Sequence, residues 1–347
     1  MRRIHLERAL LPTGVEEAVS LTLDEAGTIV ALGEADPALT LPGLALPGLI
    51  NAHVHLDLAG PCVPAEGLPD WVRALPRPSA ADARVQQALD AGTAGVVEVT
   101  NTCGAAEALT ASPLAAVVHH EVLGIDADQL PATHGTRPSP HAPYSTSAAL
   151  IQAACAVGGP MATIHCDEDP AERDFLLRGN GAWSVFITQI GRDLSAFTAP
   201  GCTPVQYLDR LGVLGPELAL VHCTLTRDDD LDLIAQSGAT VVLCPRSNLH
   251  ISGALPDVPG MVRRGIPLAI GTDSLASCPD LDLLKDVAVL TEAFPQIDPL
   301  VFLHAATAGG ARVLGRDDLG HIAVGARPGI WSVHTRGWLA APGGLPC

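Results

Sequence analysis

A chain of 347 residues with 48% hydrophobic but only 3% aromatic residues can bury a large core, filled mainly by aliphatic side chains. A net charge of −18 excludes a nucleic-acid or anionic-membrane partner, since both want a basic patch. There is no basic-then-apolar leader and no bilayer-length apolar run, and the nine cysteines form no C-x-x-C pair, so a reduced, cytoplasmic protein is expected.

Residues 1–45 read as short strands and turns: 4–8, 19–23, an Asp24-Glu25-Ala26-Gly27 turn, then 28–32. This is the N-terminal part of a small β domain, and nothing in it suggests chemistry. From residue 46 the pattern becomes strand then helix, repeated. Candidate strands are 45–55, 95–100, 115–123, 135–144, 161–165, 218–223, 240–245 and 267–273, with helices such as 80–91, 147–156, 227–236 and 258–264 between them. Such alternation over residues 46–320 is the arithmetic of an α/β protein with a (β/α)8 TIM barrel. An open doubly wound sheet is disfavoured because no G-x-G-x-x-G follows any strand. After a helix at 300–314 the tail turns extended around 321–324 and 330–334, so 321–347 is expected to complete the small β domain.

The first barrel strand ends Asn51-Ala52-His53-Val54-His55. Side chains at i and i+2 leave a strand on one face, so His53 and His55 project together, half of a metal site. Barrel enzymes place their chemistry at the C-terminal ends of the strands. Those ends add Glu121, His141, His165 with Glu168, His222, Asn248 and Asp273. Isolated structural histidines would be scattered along helices and mid-strand as well. The most economical set for one divalent ion is His53, His55, His165 and Asp273, with a position left for water. The ion is expected to be zinc, with iron the alternative. Asp273 is also placed to accept the proton of the attacking water, and His222 to orient that water, with a direct bond from His222 to the metal left open. Glu168 is read as the proton shuttle against the alternative of a loop carboxylate beside a helix start.

The strings Leu46-Pro47-Gly48-Leu49-Ile50-Asn51-Ala52-His53-Val54-His55, His165-Cys166-Asp167-Glu168, Leu220-Val221-His222, Pro245-Arg246-Ser247-Asn248 and Gly271-Thr272-Asp273-Ser274 resemble, in order, those of the amidohydrolase superfamily. Ser139-Pro140-His141-Ala142-Pro143-Tyr144 and Gly271-Thr272-Asp273-Ser274-Leu275-Ala276-Ser277 look most like its mononuclear aminohydrolases, the branch of methylthioadenosine/S-adenosylhomocysteine and aminodeoxyfutalosine deaminases. The resemblance implies a metal-bearing barrel, a small β domain from both termini, the four metal ligands above, Glu168 as proton shuttle, His222 at the water and His141 at the substrate. It implies a hydrolase of C–N bonds other than peptide bonds, with aminodeoxyfutalosine, in menaquinone synthesis, the narrowest substrate.

Binuclear members bridge two metals with a lysine on the fourth strand, whereas the single lysine here, Lys285, follows the eighth. Glu121 offers another route to a second metal, although a packing or hydrogen-bonding role is preferred. Two departures stand out. No acid follows Trp71 where nucleoside-deaminating relatives hold one for the ribose, and the tail reads Pro328-Gly329-Ile330-Trp331-Ser332 without the usual Ala-Asp. Trp71 and Trp183 are candidates to stack on a flat ring, against packing of loops. Arg246 beside Asn248 is a candidate for an anionic substrate group, and His250 for the pocket. Cys166, Cys223, His119 and His120 are expected to be structural. A small-molecule substrate is expected, with neither nucleic acid nor membrane, and a homodimer is compatible. The functions that compete with deamination are amide or C–halide hydrolysis on a ring, and a metal-free binding protein on a degenerate barrel.

Overall fold

The computed structural model describes residues 1–58, 60, 62, 67–100, 102, 104–132 and 136–342. The chain begins with β1 (Arg2–Leu11), β2 (Gly14–Leu23), β3 (Ile29–Glu34) and β4 (Leu41–Pro47). The stretch read as one strand over 45–55 is two, because Gly48 breaks it. A Cβ there would lie 2.4 Å from the Ala94 side chain and 2.6 Å from the Pro328 carbonyl. Beyond the break runs β5 (Leu49–His55), buried at every position.

Helix and strand then alternate through α1 (Leu68–Ala74), α2 (Asp82–Asp90), β6 (Thr93–Thr100), α3 (Ala106–Thr110), β7 (Ala115–Val122) and β8 (Arg137–Pro140). The strand expected over 135–144 is thus shorter, ending at Pro140; residue 135 lies outside the described residues. The second half adds α4 (Ala148–Cys155), β9 (Ala162–Cys166), α5 (Pro170–Arg178), α6 (Ala182–Gln189), α7 (Pro204–Arg210) and β10 (Leu218–His222). It continues with α8 (Asp228–Ser237), β11 (Thr240–Leu243), α9 (Pro245–Ile251), α10 (Val258–Arg263), β12 (Leu268–Ile270), β13 (Asp273–Ser274) and α11 (Leu283–Ala293). Helix starts follow local chemistry: Ser147, Asp169 and Thr203 each accept a backbone N–H of the first turn, and proline sits in the first turn of α5 and α7.

The helix expected over 300–314 is interrupted. α12 (Pro299–His304) passes through a π-turn (Ala305–Gly309) into α13 (Gly310–Leu314). The reason is contact with the strands, since a Cβ at Gly309 would meet the Leu268 carbonyl at 2.0 Å, and one at Gly310 the Ile50 carbonyl at 2.5 Å. The chain ends with β14 (Ile330–Ser332) and β15 (Gly337–Ala340). The extended segment expected at 321–324 is not a strand. It is a turn that docks through Gly325 N to Ile29 O, 2.8 Å, with Ile322 fully buried.

Strands from both ends of the chain share one six-stranded sheet, ordered β15-β14-β4-β1-β2-β3. The others form two sheets, β13-β5-β6-β7-β8 and β12-β11-β10-β9, in which every pairing is parallel. Their free edges meet: His165 N donates to His141 O at 2.9 Å between the β8 and β9 sides. On the other side, Asn51 bridges β5 to the gap between β12 and β13, its amide nitrogen 2.8 Å from Thr272 Oγ1 and its oxygen 3.1 Å from Thr272 N. Continuous burial of β5, β6 and β9–β11 is what parallel strands with both faces covered require. Among the described residues no helix is long and apolar enough to cross a membrane.

Candidate active site

The ends of four strands converge. His53 and His55 leave β5 side by side, with ring centroids 4.8 Å apart. His53 Nε2 stands 3.2 Å from Nε2 of His165, which comes from β9. Asp273, the first residue of β13, brings Oδ1 within 3.9 Å of His53 Nε2 and 3.7 Å of His55 Nε2. His222, ending β10, shares a second cluster with His53 and His165, whose donor atoms all lie within 4.8 Å of one another.

Such a donor set fits a metal ion. Two ligands at zinc's usual bond length and tetrahedral angle stand about 3.3 Å apart, near the observed imidazole spacing. Burial, reinforced by neighbouring imidazoles, lowers His53 well below the ordinary histidine value, and burial lowers His165 to about 3. Both rings are therefore neutral, with lone pairs available for coordination. Burial pushes Asp273 upward, but His55, His222 and the Ser247 hydroxyl outweigh it and hold the carboxylate ionised.

Surrounding groups orient these donors. His165 Nδ1 lies 2.9 Å from the His141 carbonyl, which leaves Nε2 without hydrogen and facing the cluster. Asp273 Oδ2 accepts from Ser247 Oγ at 2.5 Å and Ser277 Oγ at 3.1 Å, so Oδ1 is turned to the histidines. His222 Nδ1 meets Asn248 Oδ1 at 2.8 Å. Four non-glycine residues at these strand ends, Asp167, His222, Cys223 and Asp273, have left-handed backbone with φ of 56°, 74°, 49° and 61°. Such strain persists only where surrounding structure enforces it, and it gathers at functional sites.

His55, His165, His222 and Asp273 line a cavity of about 350 Å3, while His53 is wholly buried and does not line it. Glu168 and His141 line it, as does Glu121, for which a packing or hydrogen-bonding role is expected from the sequence. Glu121 Oε1 is 3.8 Å from His165 Nδ1 and 3.9 Å from His141 Nε2, and with His55 and His165 it makes a further group able to hold a metal. Glu168 Oε1 is 3.5 Å from His222 Nε2. Burial, then the charges of Asp273, Glu172 and Asp169, raise Glu168 well above the ordinary carboxylate value, which favours its protonated form. The walls are apolar and aromatic: Trp71, Tyr144, Trp183 and Phe186, with Tyr144 and Trp183 stacked at 4.1 Å.

Trp71 and Trp183 therefore line the pocket as well as packing its loops. Arg246 requires correction. Its guanidinium reaches Asp286 and Asp280 at 2.8 Å, and it does not line the cavity, so its donors hold α9 to α11 rather than meet a substrate. Asn248 also lies outside the lining, fully buried behind His222, which makes it a support rather than a substrate contact. His250 is not among the lining residues. Cys166 and Cys223 are in the core, and buried His119 approaches Thr163 Oγ1 at 3.4 Å. Lys285 pairs with Asp280. Asp167 and Asp169, which flank Glu168 and from the sequence are expected to be solvated, are buried instead, and the buried Glu172 has no sequence signal beyond its place at a helix start.

A sequence profile described as the amidohydrolase family matches residues 44–335. An aminodeoxyfutalosine deaminase from Deinococcus radiodurans is 32% identical over 305 residues, covering 78% of this chain and 73% of that protein. The crystal structure of Helicobacter pylori aminofutalosine deaminase in complex with methylthio-coformycin superposes with a TM-score of 0.80 at 22% identity, over 95% of this chain and 91% of that one. An adenosine deaminase from Xanthomonas campestris, solved with bound zinc, gives 0.70 at 24% identity, over 94% and 83%.

Proposed function

The chain belongs to the amidohydrolase family and is a hydrolase of C–N bonds other than peptide bonds, and from that premise we propose that it is a metal-dependent deaminase of a purine-like aminated heterocycle. The narrowest reading is an aminodeoxyfutalosine deaminase serving menaquinone synthesis. The observation that carries the proposal is the convergence of His53, His55, His165 and Asp273 at an aromatic-walled cavity that Glu168, its carboxyl raised well above the ordinary value, also lines. The edge-to-edge meeting of the two parallel sheets supports a closed (β/α)8 barrel, and the six-stranded sheet is read as a small separate β domain.

In this reading His53, His55, His165 and Asp273 hold one divalent ion, zinc by the chemistry of the donors. The ion supplies water that is nucleophilic at neutral pH. Trp71 and the Tyr144–Trp183 stack hold the flat ring over the floor, and the apolar walls keep other water out. His141 lines the cavity beside Glu121 and contacts the ring or its substituents. Glu168 gives its proton to the ring nitrogen next to the amine-bearing carbon. Asp273, ionised, takes a proton from the attacking water. His222, fixed through Nδ1 by Asn248, turns Nε2 toward the site and orients that water. Water adds at carbon, the C–N bond breaks, and ammonia leaves with the proton it gains.

Arg192 favours the narrow substrate. It is the one arginine or lysine among the described residues lining the cavity; one of its nitrogens lies 3.4 Å from Asp126 Oδ1, and the remaining guanidinium donors suit a nucleoside bearing a carboxylate. The test is ammonia release by the zinc-loaded protein from aminodeoxyfutalosine, methylthioadenosine, 5′-deoxyadenosine and adenosine, alongside chloride release from a chlorinated triazine. Ammonia from aminodeoxyfutalosine with the highest kcat/KM is expected. Turnover only of rings without an amine would overturn the deaminase reading.

A further inference from the structure

Two polar anchors tie α1, the helix that walls the cavity with Leu68, Trp71 and Val72, to the rest of the site. Trp71 Nε1 donates to Ala276 O at 3.3 Å, in the loop after Asp273. Leu68 N donates at 3.1 Å to Asp169 Oδ2, a bond spanning 101 residues of chain. The other oxygen of Asp169 caps α5, accepting from Ala171 N at 2.8 Å. Ser147 and Thr203, which also cap helices, make their second bonds nearer in the chain, to Ala127 O across 20 residues and to Asp230 Oδ1 across 27. Asp169 does more than cap, and it is only 5% exposed. The turn it sits in carries Glu168, whose own peptide is fixed on both sides. Its N–H donates to Glu172 Oε2 at 3.0 Å, and its carbonyl accepts from Ser252 Oγ at 3.0 Å.

We propose that Asp169 is a positioning residue whose two oxygens join helix α1 to the turn bearing Glu168, so that closing the cavity wall and registering the proton donor are one event. The proposal rests on Glu168 being the proton donor, as proposed above. With one oxygen committed to α5 and the other to α1, neither helix start can shift without disturbing the carboxylate that holds the other. Gly67, at φ 114°, brings the chain to this carboxylate; a Cβ there would lie 3.4 Å from Asp169 Oδ2.

The test is a double-mutant cycle. Asp169→Ala removes both bonds. Leu68→Pro removes only the N–H facing Asp169, at a first helical position where proline is tolerated, after a residue already extended at ψ 168°. Leu68→Ala controls for the lost side chain. Each of the first two is expected to lower kcat/KM about tenfold relative to its reference, and the two together no more than the larger alone, as for groups acting through one contact. Hydrogen exchange supplies a readout that needs no substrate. Amides of 70–74 should exchange faster in both variants while the six-stranded sheet keeps its protection and bound metal is unchanged. Asp169→Asn, which keeps an acceptor for α5, should restore protection at 171–174 but not at 70–74, and it carries the test if Asp169→Ala does not fold. Additive losses in the double variant, or unchanged exchange at 70–74 in Asp169→Ala, would overturn the proposal. If no aminated ring is turned over at all, the deaminase reading fails, and the exchange data still decide whether Asp169 couples the two segments.

Discussion

His222 and Asn248 are joined by a single hydrogen bond, 2.8 Å from Nδ1 to the side-chain oxygen, and both residues are almost wholly out of reach of solvent. An amide oxygen only accepts, so Nδ1 carries the hydrogen and Nε2 presents its lone pair toward Glu168, 3.5 Å away. Asn248→Ala would leave a buried N–H without a partner, at a cost of about 1–3 kcal/mol, and free the ring to rotate. A loss in kcat/KM of about 10–100-fold is expected with bound metal retained, the scale seen for outer partners of metal-site histidines. Kinetics and elemental analysis on one preparation check it. A change of less than twofold would mean that His222 needs no such guide.

Glu168→Gln keeps the shape and hydrogen-bonding reach of the side chain and removes its proton. Burial first, and then Asp273, Glu172 and Asp169, raise the parent carboxyl well above its ordinary value and so favour the donating form that the substitution removes. Turnover should drop by about 10²–10⁴-fold, the usual worth of a positioned acid, with metal content unchanged. In the parent the rate should decline on the alkaline side as Glu168 gives up its proton. Ammonia release at near-parent rates from Glu168→Gln would take the residue out of the chemistry.

What could be read from the sequence, and what could not, divides by the range of the interaction. Strand-end placement of His53, His55, His165, His222 and Asp273 follows from a period of two along short buried strands, a local property that each segment states for itself. The fate of Arg246 does not. Its side chain could reach a substrate or a neighbouring helix, and the choice depends on Asp280 and Asp286, 34 and 40 residues onward. Asp169 is likewise locally only a helix cap, and its second bond needs a segment a hundred positions earlier. The π-turn at 305–309 is invisible to helix periodicity because its cause is strand backbone lying against Gly309 and Gly310.

Chelation separates ligands from substrate contacts. Removing the ion from the parent should abolish turnover, lower the melting temperature by the linkage between binding and folding, and be reversed by added zinc. His53→Ala removes a donor atom 3.2 Å from its neighbour and should bind less than one equivalent. His141 supports the ligand His165 through its backbone carbonyl, while its ring lines the cavity with Nε2 3.9 Å from Glu121. His141→Ala should therefore keep the metal while raising KM. Equal metal loss in both variants would contradict this division of labour.

Glu172 makes stability depend on pH in a direction opposite to that of a surface carboxylate. The residue is fully buried, and burial, followed by the charge of Asp167, moves its carboxyl from 4.5 to about 8, against the pull of the Glu168 N–H on Oε2. The folded value is the higher one, so between these limits the native state holds a proton that the unfolded chain has released. The contribution is fully favourable below about 4.5 and declines as pH rises through neutrality to about 8. Glu172→Gln keeps an acceptor for the Glu168 N–H and removes the titration. Its denaturant midpoint should match the parent near pH 5 and exceed it at pH 9, by an amount on the order of a few kcal/mol in unfolding free energy. A gain of the same size at both pH values would show that Glu172 acts through packing, and that its carboxyl is not held protonated in the native fold.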